Sequence, residues 1–335
     1  MNQNDKAPLK SFFNGCDFTI KTGANCYWNA LSVPLRYYGL DWLSLSFVNM
    51  GFIFSGPTLE YHEKEEDLEL EWLFKYVKLI KNRVAISRLT DMNFNSPIAL
   101  TVDLFPFSHD YPVFPGIHTF HCLNVLGFEE DKALIVDCHF GFAGPVGVDT
   151  LAAAVRSADV EGCGVMIRVE PAGIFHASAV GPTTDQLDQM LLRKWSDYIQ
   201  GSYWPTRDYT CGLLALTKLK DYLMDTLEFY FSQPRNAYRQ LCQKINEGFT
   251  DPREGFVRFL LRHGHLFSRR ISSDLLRLME HSIHLMRQFI LTIIMGYMQK
   301  WTLSFLAPKL LHLLERAIKT ETEIHRHIED ILIAG

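Results

Sequence analysis

The spacing of apolar and polar positions changes character along the chain. In the first half, segments of helical and strand spacing alternate, whereas from residue 186 onward the pattern is almost wholly helical. Within 25–38, Leu31, Leu35 and Tyr38 recur at helical intervals, and Gly39 closes the segment as a C-cap. Pro34 interrupts that pattern, and a proline inside a helix kinks it at a cost of about 3 kcal/mol. Residues 63–82 predict an amphipathic helix: acidic residues crowd its start and lysines its end, and Leu68, Trp72, Tyr76 and Leu79 line one face.

Two strands are predicted next, PIALTVDLF over 97–105 and HCLNVLGF over 121–128. After the charged turn Glu129-Glu130-Asp131-Lys132 comes ALIVD, ending at Asp137. Two apolar, β-rich runs around so short a turn predict a hairpin. Residues 162–169 supply one more strand, and 171–184, with Gly173, Gly181 and Pro182, reads as a linker. Helices follow over 186–200, 211–232, 234–247, 253–263, 273–299 and 308–332, where Pro308 suits a first helical turn. The expected architecture is α+β: a mixed domain over 1–172, then an all-helical domain over 185–335. A chain of 335 residues accords with two domains.

Composition narrows the function classes. Hydrophobic residues make up 47% and charged residues 21%, an ordinary globular balance. The net charge of −5 comes from 33 basic and 38 acidic residues without blocks of one sign, which leaves no basic stripe for nucleic acid. The polar start, 1–10, is unlike a secretory signal. The uncharged run 288–299 is too short to span a bilayer, so a cytoplasmic protein is expected and no membrane partner. Seven cysteines without a CxxC or short Cys/His spacing argue against a disulfide framework and a zinc site. No metal is therefore expected, and the thiols read as free.

Cys26 lies in Gly23-Ala24-Asn25-Cys26-Tyr27-Trp28, where a loop enters a helix. Backbone N–H groups and the helix dipole there stabilise a thiolate and can face an oxyanion. The bland alternative is a buried first-turn residue. Among thirteen histidines, His121 stands out because it opens a strand sixteen residues before Asp137, so the hairpin brings both to one end. A carboxylate there would hold the imidazole tautomer and stabilise its protonated form. His118 is the runner-up base or a polar wall of the substrate pocket. His139, His109 and Asp103 are weaker candidates for the same end of the sheet, with nothing in the sequence to fix their geometry, while His281 and His284 have helical spacing but no third metal ligand. No phosphate-binding glycine loop, GxSxG or HExxH occurs.

The order Cys, His, Asp, with the 121–137 hairpin, resembles the C39-like papain-fold peptidases. More closely, the chain is similar to the family of butirosin biosynthesis protein H. The similarity lies in Asn25-Cys26-Tyr27-Trp28-Asn29-Ala30-Leu31, in Leu35-Arg36-Tyr37-Tyr38-Gly39, in 97–107 ahead of His118 and His121, and more loosely in the helical remainder. That resemblance implies a papain-like fold and an acyltransferase of natural-product, antibiotic-type biosynthesis. Such an enzyme takes an acyl group from the phosphopantetheine thioester of an acyl or peptidyl carrier protein and passes it to an amine. No cofactor of its own is implied beyond the carrier's phosphopantetheine. Cys26 then corresponds to the acyl-accepting thiol, His121 to the base and Asp137 to its orienting acid, with Trp28, Asp103 and His118 expected beside the substrate. Ile20 stands where papain-like peptidases usually place an oxyanion-hole Gln, a departure that disfavours peptide hydrolysis more than thioester chemistry. A cysteine peptidase or thioester hydrolase of the same fold remains the alternative, and a non-catalytic scaffold a third reading.

Overall fold

The computed structural model describes residues 26–38, 53–56, 58–60, 77–83, 96–107, 118, 120–160, 165–171, 183–200, 210–233, 237–268 and 271–333; at 28, 53, 55, 60, 159–160, 171, 194, 210–211, 262–263 and 331–333 it describes the backbone alone. The fold is α+β and divides into two compact units.

The first unit is built on a six-stranded antiparallel sheet in the order β3-β8-β4-β5-β6-β7. Its strands are β3 (Val77–Arg83), β4 (Ile98–Asp103), β5 (Phe120–Glu129), β6 (Lys132–Asp137), β7 (Phe142–Gly147) and β8 (Val165–Pro171). The helix α1 (Cys26–Tyr37) packs across β5 and β4, and α2 (Val148–Val160) packs on β4 and the 3-10 turn Phe105–Phe107. The middle of α1 is buried, including Ala30, Leu31, Val33 and Leu35, so packing rather than propensity holds it together around Pro34. A buried core of Ile98, Leu100, Val102, Leu123, Val125 and Ile135 joins Leu151, Ala154 and Val155 of α2. β5 and β6 form the predicted hairpin, closed where Glu129 pairs with Lys132 and Glu130 takes φ 54 in the left-handed region.

Three elements depart from the sequence pattern. Residues 77–83 are strand rather than the end of a helix, because all seven pair with β8 and a full ladder outweighs local propensity; 61–76 lie outside the described residues. β7, with the sequence FAGPVG, has the composition of a turn, yet at the sheet edge a proline removes no ladder bond that matters. The helix α2 follows it directly and had no counterpart in the predicted elements. Residues 172–182 of the expected linker lie outside the described part.

The second unit holds residues 53–60 and 183–333 of the described chain. The contiguous division 1–172 and 185–335 does not anticipate that excursion. Its cause is a small sheet in which β1 (Ile53–Ser55) pairs with both β2 (Thr58–Glu60) and β9 (Thr210–Cys211). The helices are α3 (Thr184–Gln200), α4 (Gly212–Asp221), α5 (Leu223–Ser232), α6 (Ala237–Ile245), α7 (Asp251–His263), α8 (Ser273–Met298) and α9 (Leu303–Ile333). The predicted helix 211–232 is broken at Tyr222, and α9 begins at Leu303, which leaves Pro308 inside it. Gly212 opens α4 at φ 62, and a Cβ there would meet the Tyr198 carbonyl oxygen at 2.0 Å. Among the described residues no helix is long and apolar enough to cross a membrane.

One ion pair is sealed inside this unit. Arg253 and Glu321 are both fully buried, with Nη2 donating to Oε2 at 2.8 Å and the Ser282 hydroxyl donating to Oε1 at 2.5 Å. The guanidinium carbon lies 4.7, 4.4 and 5.1 Å from the ring centres of Trp195, Tyr198 and Phe249. Removing one partner leaves a charge with no water to solvate it. Glu321→Ala is therefore expected to cost about 3–5 kcal/mol in urea unfolding, and the double change Arg253→Met with Glu321→Leu markedly less. Equal losses from both would contradict this account.

Candidate active site

The β5–β6 hairpin converts a sequence separation into a contact. Its register pairs Val125 with Ile135 and Asn124 with Val136, which leaves Asp137 beside the start of β5. There the Asp137 Oδ2 and His121 Nε2 lie 2.6 Å apart, with side chains only 1% and 4% exposed. The other carboxylate oxygen, Oδ1, accepts the backbone N–H groups of His139 at 2.8 Å and Phe140 at 3.2 Å. Phe140 also covers the His121 ring, with centroids 4.8 Å apart. Both oxygens of the buried carboxylate are thus engaged, as a buried charge requires.

Cys26 is the first residue of α1, and its thiol hydrogen-bonds His121. Because Nε2 is committed to Asp137, Nδ1 is the ring nitrogen left for the thiol. The structure therefore brings Cys26, His121 and Asp137 together in one chain of hydrogen bonds. Of the four described free cysteines only Cys26 is partly exposed; Cys122, Cys138 and Cys242 are buried. Burial pushes the Cys242 thiol up to about 12, so it is chemically inert, whereas Cys26 combines access with a helix N-terminus and a basic partner.

The His121 imidazole carries opposing influences. Burial disfavours its protonated form, but the Asp137 charge and hydrogen bond, and then those of Cys26, outweigh that cost and push its pKa up to about 10. A ring in this state stays imidazolium through neutral pH and places a positive charge beside the Cys26 sulfur.

Asp103 and His118, both expected beside the substrate, form a second pair. The buried Asp103 accepts from His118 Nδ1 at 2.6 Å, from the Ser157 hydroxyl at 2.5 Å and from the Phe105 backbone at 3.0 Å. The His118 side chain is 70% exposed and stacks on Phe105 at 4.3 Å. Along the strands, Asp103 faces Phe120 while Val102 faces His121, so the two pairs occupy neighbouring rungs. Trp28 sits two positions into α1; its side chain, and Ile20, Asn25 and His109, lie outside the described residues. His281 and His284 are exposed on α8, and no group of three His, Cys, Asp or Glu able to hold a metal occurs among the described residues.

Two participants are absent from the sequence reading. Asn29 is buried one turn after Cys26, with its Nδ2 3.4 Å from His139 Nδ1, and Phe140 covers His121. The i,i+3 spacing of Asn29 from Cys26 was the available signal. No protein-family model matches the chain, and no curated protein matches it in sequence.

The raised His121 pKa has a consequence for stability. The folded ring binds its proton more tightly than an unfolded histidine near 6.5, so this stabilisation is complete below about pH 6.5 and is lost as pH rises towards about 10. Asp137→Asn removes the first of the raising influences. The stability difference between wild type and Asp137→Asn, measured by urea unfolding, should narrow steadily from pH 6.5 to pH 10. A constant or widening difference would contradict the assignment.

Proposed function

We propose that this chain is a cysteine-dependent acyltransferase with a papain-like catalytic unit, forming amide bonds from carrier-bound thioesters in natural-product biosynthesis. The observation that carries the reading is a solvent-reachable thiol at a helix N-terminus, hydrogen-bonded to an imidazole that a buried carboxylate holds. That arrangement supports nucleophilic acyl chemistry. The order helix-borne Cys, strand-borne His and hairpin-partner Asp is what a papain-like unit requires. The choice of a carrier thioester as donor and an amine as acceptor rests on the resemblance of the Cys26 and His121 segments to the butirosin biosynthesis protein H family.

In this mechanism the Cys26 sulfur attacks the thioester carbonyl, and the carbon–sulfur bond to the phosphopantetheine arm breaks. The released thiolate takes a proton from the His121 imidazolium. The amine nitrogen then attacks the acyl-enzyme, His121 accepts the amine proton, and Cys26 is regenerated as the amide departs. The first step exchanges near-equal thioesters, and the second is downhill. Asp103 and His118 are assigned to the substrate side, where an exposed imidazole and the exposed Phe105 ring offer a polar and an apolar contact. A free nucleophilic thiol suits the reducing cytoplasm.

Intact-protein mass spectrometry tests this after mixing with carrier proteins bearing assorted acyl thioesters, without amine. Acylation of wild type and its absence from Cys26→Ala is the expected result, with His121→Ala acylated about 10²–10⁴-fold more slowly. Subsequent amine should discharge the adduct as amide. Discharge by water at the same rate would instead identify a hydrolase.

A further inference from the structure

The Asp137 carboxylate is held from two directions. Oδ2 meets His121, while Oδ1 accepts the backbone N–H groups of His139 and Phe140. The turn 138–141 therefore fixes where the carboxylate stands and, through it, the imidazole. Gly141 ends that turn at φ 67, a conformation glycine adopts without a Cβ penalty. The same turn reaches back to α1. Nδ1 of His139 lies 3.4 Å from Nδ2 of Asn29, a buried residue one helical turn beyond Cys26. Phe140 fills the space between, its ring centre 4.8 Å from that of His121 and 4.7 Å from that of His139. A closed circuit results: Cys26, His121, Asp137, the turn, His139, Asn29, and back along α1 to Cys26.

We propose that His139 is a positioning residue for this site: its imidazole ties the Asp137 turn to Asn29 and so sets the spacing at which Cys26 reaches His121. The inference rests on the acyl-transfer reading of Cys26. The Asn29 amide donates to an unprotonated Nδ1, so His139 acts here as a neutral acceptor with its hydrogen on Nε2. The tie adds a directional bond between α1 and the turn after the hairpin, and a directional bond resists sliding more than apolar packing does. Misplacement of about 1 Å between reacting groups can cost a hundredfold in rate.

Packing and hydrogen bonding are separated by two replacements. His139→Phe keeps the ring but loses the acceptor, whereas His139→Asn places Oδ1 near the position of Nδ1. The readout is the rate of Cys26 alkylation by iodoacetamide in the full chain from pH 6 to pH 9, located by peptide mapping, with melting temperatures measured alongside. His139→Phe is expected to slow alkylation at neutral pH by at least about tenfold, and His139→Asn to recover most of it. Asn29→Ala should slow it equally, and Asn29→Ala with His139→Phe no further, since both remove one shared contact. Wild-type reactivity in His139→Phe, or equal slowing in His139→Phe and His139→Asn, would overturn the proposal. The underlying reading fails separately, and the proposal with it, if wild-type Cys26 reacts no faster than Cys26 in His121→Ala.

Discussion

At 2.6 Å, the His121–Asp137 hydrogen bond joins two groups that water would otherwise solvate, in a place where water does not reach. Burying either alone would force it to neutralise; burying both together, with the second carboxylate oxygen on two backbone N–H groups, preserves charge on each. Everything else at the site depends on that pairing. The β5–β6 register must hold, because a slip of one residue would turn His121 to the other side of the sheet. The helix α1 must keep its place against β5, because from there Cys26 presents its thiol to the remaining ring nitrogen.

The same strategy recurs in the second unit, where Arg253 and Glu321 are buried against Trp195, Tyr198 and Phe249. Such pairs add little net stability over apolar residues of equal volume, but they penalise every packing that leaves one partner alone. In the first unit the penalty guards a hairpin register. In the helical unit it guards the mutual placement of α7, α8 and α9, which supply Arg253, Ser282 and Glu321. The two pairs differ in access: Arg253 and Glu321 are sealed, whereas His121 hands its influence to a partly exposed thiol.

Much of this was legible in the sequence where local and tertiary signals agree. The 121–137 hairpin is written as two β-rich runs around four charged residues, and the helices after 186 as long apolar stripes bounded by Gly, Pro and Ser. The signal failed where tertiary pairing overrides composition. Val77–Arg83 has the spacing of a helix end, yet it completes a seven-residue ladder with β8. Phe142–Gly147 carries two glycines and a proline because it is an edge strand, and Ile53–Ser55 is too short to signal its pairing with Thr210–Cys211. At the site, Cys26, His121 and Asp137 announce themselves by chemistry and order. Asn29 and Phe140 do not, because an amide and a phenyl ring acquire their roles only through the turn that follows Asp137; His139 is legible as a candidate for this end of the sheet, but its contact with Asn29 comes only from that turn.

The site works as described only if the buried carboxylate keeps His121 protonated beside Cys26 at neutral pH. The direct measurement is the NMR titration of the His121 ring in histidine-labelled protein, with its signal assigned by loss in His121→Gln. The account predicts an imidazolium signature through pH 8 and titration near pH 10. A His121 ring that is neutral at pH 7 would contradict it.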